Sequence, residues 1–136
     1  TGVAMLQTMQ VENPVMTSLV SGQRDAFLAS EVAARRAASM PPFSQLAGLI
    51  LSAPDENRLH AAAKVLAERK PRFDGVDIFG PTMAPLAFLR GRHRIRFLVR
   101  TKKSVDIQSV IKAWTMDLKL PSSVRLYIDI DPYSFL

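Results

Sequence analysis

From residue 46 onward the apolar positions change period several times, and each change marks an element. Leu46 to Leu51 is a continuous apolar run closed by Ser52-Ala53-Pro54-Asp55, the pattern of a buried strand. Ser52 and Asp55 stand at capping-box spacing, and Leu59, Ala62, Ala63 and Leu66 fall at i, i+3, i+4 and i+7, which predicts an amphipathic helix. Val76 to Phe79 reads as a short strand ended by Gly80-Pro81, with an irregular loop running on through Pro85 to Gly91. Arg92 to Arg100 alternates: His93, Ile95, Phe97 and Val99 face one way, and Arg92, Arg94, Arg96 and Arg100 the other, which predicts a strand. Ile107, Val110, Ile111, Trp114 and Leu118 return to helical spacing up to Pro121. Val124, Leu126, Ile128 and Ile130 then alternate with Arg125, Tyr127, Asp129 and Asp131 in a last strand. The order is β-α-β-β-α-β, an α+β, ferredoxin-like layout with two helices on one sheet face.

The first forty residues read differently. Val3-Ala4-Met5-Leu6 has the character of a short strand, and Asn13-Pro14 pairs an N-cap with a first-turn proline. Arg24 to Ser39 is an Ala-rich helical stretch, closed by Met40-Pro41-Pro42 because consecutive prolines forbid a continuing helix. One strand and two helices do not close a core, so this segment is expected to pack on something else. The chain opens on Thr1 rather than Met, as a piece cut from a larger protein would. The expected division is residues 1–40 and 41–136.

With 136 residues, 48% hydrophobic and 22% charged, the chain can bury a real core and lacks the composition of a disordered segment. The absence of cysteine excludes a disulfide scaffold, a Cys-ligated zinc or iron–sulfur site and a thiol nucleophile. No apolar run approaches the ~20 residues that span a bilayer, and no signal-peptide pattern opens the chain, so a soluble cytosolic domain without a membrane partner is expected.

Charge changes the picture more. Eighteen Lys and Arg against 12 Asp and Glu give a net charge of +6, which favours a polyanionic partner. No acidic residue lies between Asp77 and Asp106, whereas Arg90, Arg92, Arg94, Arg96, Arg100, Lys102 and Lys103 all do. Arginines two residues apart on a strand are about 7 Å apart on one face, close to the spacing of phosphates along a single strand. Such a row repels itself unless anions or nearby carboxylates offset it. It is either a nucleic-acid surface or a solvated outer sheet face partly neutralised by Asp129. Lys102 and Lys103 directly precede the second helix of the domain, whose dipole favours anions there. They are either solvated loop lysines or part of an anion site.

Catalytic patterns are weak. RNA-recognition motifs share the β-α-β-β-α-β order, but Arg92 and His93 stand where the third strand should present an aromatic and a small residue, and Phe97 faces the core. His60 and His93 are the only histidines and lack ligand spacing, so structural roles are expected. Asp129 and Asp131 share a strand face; they either hold a divalent cation for acid–base or hydrolytic chemistry, or solvate the strand end and pair with the arginines. No GxxxxGK[ST], GxGxxG or GxSxG occurs. The residues support no catalytic site and no metal site.

Several short motifs carry a family resemblance. Ala34-Arg35-Arg36-Ala37 followed by Pro41-Pro42-Phe43 resembles the junction at the end of the helicase core in the primosomal protein N′ family of bacterial replication-restart helicases. Gln7-Thr8, Glu12-Asn13-Pro14-Val15 and Asp25-Ala26-Phe27 are similar to the stretch before that junction. Gly80-Pro81, Ala84-Pro85-Leu86 and Leu89-Arg90-Gly91-Arg92-His93-Arg94 resemble the family's late loop and basic strand, and Asp129-Ile130-Asp131-Pro132 its ending.

The resemblance implies that residues 41–136 are the family's C-terminal domain, similar to the ribosomal protein S10 fold. Residues 1–40 would be the last strand and helices of the second helicase lobe. It further implies an ATP-driven 3′-to-5′ DNA helicase as the parent, with ATP, Mg and Zn held upstream and no cofactor in this fragment. The implied partners are forked or branched DNA, other primosome proteins, the remaining helicase domains and single-stranded DNA-binding protein, in the cytoplasm at the nucleoid. DNA contacts would fall on Arg90, Arg92, Arg94, Arg96, Arg100 and Lys102. The acidic tail of single-stranded DNA-binding protein, which ends in a Phe carboxylate, would meet Gln108 and Lys103, Ser104 occupying the family's basic position. Two other classes remain open: a protein-interaction module for that tail or another helicase lobe, and a ribosomal-type RNA-binding protein.

Overall fold

Asn13 starts the first helix as its spacing predicts: its side-chain oxygen accepts the Val15 N–H at 2.9 Å, and Pro14 occupies the first helical position of α1 (Pro14–Ser21). The computed structural model describes residues 2–132, so residue 1 and the last four residues of the 41–136 segment lie outside it. Gly22, at φ 69°, ends α1 in the left-handed region, and α2 (Arg24–Ala37) follows. Residues 3–6 form no strand, contrary to the expectation from their apolar character. A strand exists only by pairing, and no strand lies in this segment to pair with it. Neither α1 nor α2 contains a buried residue. The described chain divides into two compact units between Met40 and Pro41.

The second unit has the ferredoxin-like order. Its elements are β1 (Ser44–Ala53), α3 (Glu56–Glu68), β2 (Val76–Leu89), β3 (Arg92–Lys102), α4 (Ile107–Thr115) and β4 (Arg125–Ile130). The sheet order is β2-β3-β1-β4 with every pair antiparallel. Ala47, Leu49, Leu51 and Ala53 of β1 and Ile95, Phe97 and Val99 of β3 point to one face, where they meet Leu59, Ala62, Ala63 and Leu66 of α3 and Ile107, Val110, Ile111 and Trp114 of α4. These are the helix faces that the spacing predicts. The even-numbered positions of β1 and β3 therefore form the opposite face.

Several boundaries differ from the pattern. The cap of α3 is Asp55, whose carboxylate accepts the Arg58 N–H at 2.8 Å, while Ser52 remains in the strand. Helix α4 stops at Thr115; Asp117 takes φ 57°, and Leu118 packs on the core from outside the helix. Strand β1 is longer than its apolar run. The largest difference is β2, which runs on through Pro81 and Pro85 where a loop is expected. As the sheet's outer strand β2 tolerates prolines, and shifts of register between Phe79 and Thr82 and between Met83 and Phe88 absorb the irregularity. Gly80 is required there: at φ 100° a Cβ would stand 2.8 Å from the Arg96 carbonyl oxygen.

Trp114 joins the layers. Its ring meets Phe97 edge-on with centroids 5.4 Å apart, and its Nε1–H donates to the Leu66 carbonyl at 2.9 Å. That carbonyl lies in the last turn of α3, where no intrahelical donor remains. Trp114→Phe is expected to destabilise the protein by about 1–3 kcal/mol through the orphaned buried carbonyl. Urea unfolding should show a lower midpoint at unchanged slope.

Candidate nucleic-acid interface

Strand β3 can carry a row of arginines on one side only because its other side is core. Ile95, Phe97, Val99 and Thr101 are buried, so Arg92, Arg94, Arg96 and Arg100 project from the face opposite the helices. The neighbours of this row give its members different roles.

Arg92 is a structural tie. Its Nε donates to Ser52 Oγ at 3.1 Å, and its Nη2 donates to the carbonyls of Ser52 at 2.8 Å and Ser123 at 2.7 Å. Arg100 is neutralised: Nε and Nη2 donate to Asp77 Oδ2 at 3.1 and 2.8 Å, and the guanidinium lies 5.3 Å from the Phe79 ring centroid. Lys102 faces Asp74 at 3.7 Å across exposed surface. The carboxylates that offset the row are thus Asp77 and Asp74, not Asp129, which forms no ion pair among the described residues. Asp131 stands outside the strand face it was expected to share with Asp129. At φ 51° it closes the β1–β4 ladder, its N–H donating to the Leu46 carbonyl at 2.8 Å.

The remaining cations gather at the other end of β3. Arg94 donates from Nη1 to the Leu86 carbonyl at 3.3 Å, and Arg96 stands opposite Ile50 on β1 and Thr82 on β2. Arg90 and Gly91, both at positive φ, form the tight β2–β3 turn. Register brings in a residue that the sequence assigned to another strand: Ser52 pairs with Arg94 on one side and Arg125 on the other. Arg90, Arg92, Arg94 and Arg125 line one concavity of about 570 Å³, together with Ile50, Ser52, Tyr127 and Asp129. Arg125 and Tyr127 are absent from the residues singled out in the sequence. Their alternation marked them as outward-facing, but only strand order places them beside the arginines.

The β3–α4 junction is a separate place. Lys103 lies exposed in the turn, and Gln108 is the second residue of α4, its backbone N–H donating to Asp106 Oδ1 at 3.1 Å. Asp106 also accepts from the Ser109 hydroxyl at 2.5 Å, so the helix N-terminus has its own carboxylate. That hydroxyl is the main cause holding the Asp106 carboxyl below its ordinary value; desolvation opposes it, and the Gln108 and Ser109 N–H groups reinforce it. A lowered folded value means that this cap stabilises above the unfolded carboxylate range and fades as pH falls through the folded value. Ser109→Ala should raise the Asp106 titration midpoint, read by carboxylate NMR.

His93 lies against the Phe88 ring, centroids 4.9 Å apart, and His60 is 3.8 Å from Glu56 on α3. No three His, Asp or Glu side chains converge on a metal-sized site among the described residues, and the chain has no cysteine. The residues present therefore do not fit the zinc site implied for the parent. No helix among the described residues is long and apolar enough to cross a membrane.

These features define a basic ferredoxin-like domain with one helix-covered sheet face and one cation-rich face. Residues 36–133 match the family described as primosomal protein N C-terminal domain, and the chain belongs to that family. It is 36% identical over 134 residues to the replication restart protein PriA of Rickettsia felis, covering 98% of this chain and 20% of that protein. Against the Treponema pallidum protein of the same name it is 26% identical, covering 99% of this chain and 21% of that protein. The Haemophilus influenzae relative is 25% identical, with 96% and 18% covered. The chain spans about a fifth of the length of these relatives.

Arg92 and Arg94 should separate in their effects. Arg92→Ala strips partners from two carbonyls and is expected to cost about 1–3 kcal/mol. Arg94→Ala, a half-buried position whose hydrogen bond to the Leu86 carbonyl is long, should cost less, within about 0.5 kcal/mol of wild type. Paired thermal melts test the contrast.

Proposed function

We propose that the chain is the C-terminal part of a replication-restart protein and that the outer face of its sheet binds DNA by the phosphate backbone. One observation carries this reading: cations from separate elements, Arg94 of β3, Arg125 of β4 and Arg90 of the β2–β3 turn, line a single concavity on the face opposite α3 and α4. Arg96 continues the row. Contacts of this kind position a duplex or fork without reading sequence, which suits recognition of DNA shape. In this reading the parent is an ATP-dependent 3′-to-5′ helicase of the cytoplasm, with other primosome proteins as partners. ATP with Mg²⁺, and zinc, belong to its other parts, and residues 1–40 to the end of a helicase lobe.

The alternative, an acidic protein tail held by Lys103 and Gln108, has less support. The α4 N-terminus that would greet the tail's carboxylate already holds that of Asp106.

Fluorescence anisotropy with labelled forked, duplex and single-stranded DNA tests the proposal. Affinity should fall steeply with salt, and Arg94/Arg96/Arg125→Ala should reduce the logarithmic salt slope by roughly 2–3 while the protein stays folded. Equal affinity at about 50 and about 200 mM salt would overturn it. A marked preference for structured RNA would overturn it too.

A further inference from the structure

Tyr127 is the aromatic residue of the open sheet face that nothing uses. It is 52% exposed on β4, and its ring meets no other ring and no cation among the described residues. The other aromatics of the sheet differ in this respect. Arg100 covers Phe79, Phe88 meets His93, and Phe97 is buried against Trp114.

Register sets the surroundings of Tyr127. It stands opposite Ile50, which stands opposite Arg96, so an apolar neighbour separates it from a cation two strands away, about 10 Å. The next cross-strand row is Leu98, Gly48 and Asp129. At Gly48, in mid-strand, an added Cβ would meet nothing within 4 Å, so the centre of the face is left bare beside the tyrosine. A strand-interior glycine with open space above it permits close approach of a ligand to the backbone. Tyr127 also lines the concavity walled by Arg90, Arg94 and Arg125.

Resting on the DNA-binding reading, we propose that this face holds unpaired DNA, with one base stacked on Tyr127 over the opening at Gly48 and the flanking phosphates on Arg94 and Arg125. In a duplex the base faces are occupied by their neighbours, so a sheet-borne ring is of use only to an unpaired base. An aromatic beside cations matches both halves of a nucleotide. Asp129 sets the orientation of the nucleotide: its carboxylate repels phosphate but accepts hydrogen bonds from base amino groups, which turns the base toward the Gly48–Asp129 row and the backbone toward the Arg94–Arg125 row.

The test uses the 136-residue chain and short single-stranded oligonucleotides carrying 2-aminopurine, whose fluorescence is quenched by stacking. Wild type should quench the probe. Tyr127→Ala should abolish the quench and weaken single-strand affinity about five- to hundredfold, and weaken duplex affinity less. Tyr127→Phe, which keeps the ring, should behave as wild type. Gly48→Val should melt no lower than wild type, because its side chain enters open space, yet lose the quench. If wild type binds DNA with a steep salt slope but Tyr127→Ala or Gly48→Val changes nothing, the stacking site is wrong and the phosphate surface stands. If wild type binds no DNA, both fail. Tighter binding of RNA of the same sequence overturns the assignment to DNA.

Discussion

The burial of one side of β3 is the constraint on which the other features depend. Phe97 and Val99 are fully buried and Ile95 nearly so, in a strand paired on both sides by β1 and β2. Burying each such side chain is worth about 1.5–3 kcal/mol. A slip of one residue would turn all three outward and drive four arginines against α3 and α4, so the register has no nearby competitor. The arginines inherit that rigidity. Their Cα positions are set by the core behind them, which is how a surface comes to hold a spaced row of like charges.

Spacing like charges on a rigid strand costs repulsion, and the structure relieves it unevenly. Near the C-terminal end of β3, Asp77 takes the Arg100 guanidinium and Asp74 faces Lys102, the latter an exposed pair that contributes little. At the other end Arg92 turns to neutral oxygens of Ser52 and Ser123, where it ties β3 to β1 and to the segment before β4. Between these, Arg90, Arg94 and Arg125 surround a depression with a single carboxylate, Asp129, on its rim. The arginines with no carboxylate partner among the described residues, Arg90, Arg94 and Arg125, therefore gather where β3, β1 and β4 run side by side.

Much of this was legible in the residues. Period-two alternation identified β3 and its two faces, and helical spacing identified the buried sides of α3 and α4, because both patterns record burial directly. What was missed depends on position in the sheet. Pro81 and Pro85 argue against a strand unless that strand is an outer one, and nothing local says that β2 is. Ser52 and Asp55 both look like caps, and only the extent of β1 decides between them. Residues 3–6 have strand character but no partner to realise it. Arg125 and Tyr127 sit more than twenty residues from the nearest arginine of β3, so their adjacency follows only from β4 lying beside β1. The family motifs carried identity well, being read residue by residue, but they do not say which arginines are spent on structure.

The composition of the open face narrows what it can be for. A merely solvated sheet face is polar on alternate positions, yet here Ile50, Gly48, Leu98 and Tyr127 lie among the cations. A face buried against another protein surface would have to desolvate its guanidiniums, which is costly without matched carboxylates. Among the described residues such a carboxylate reaches Arg100 but not Arg94 or Arg125. The two requirements, apolar contact at the centre and anions at the edge, are met together by a ligand that carries flat rings on a charged backbone. A nucleic-acid strand has that construction, with the anions carried on its own backbone.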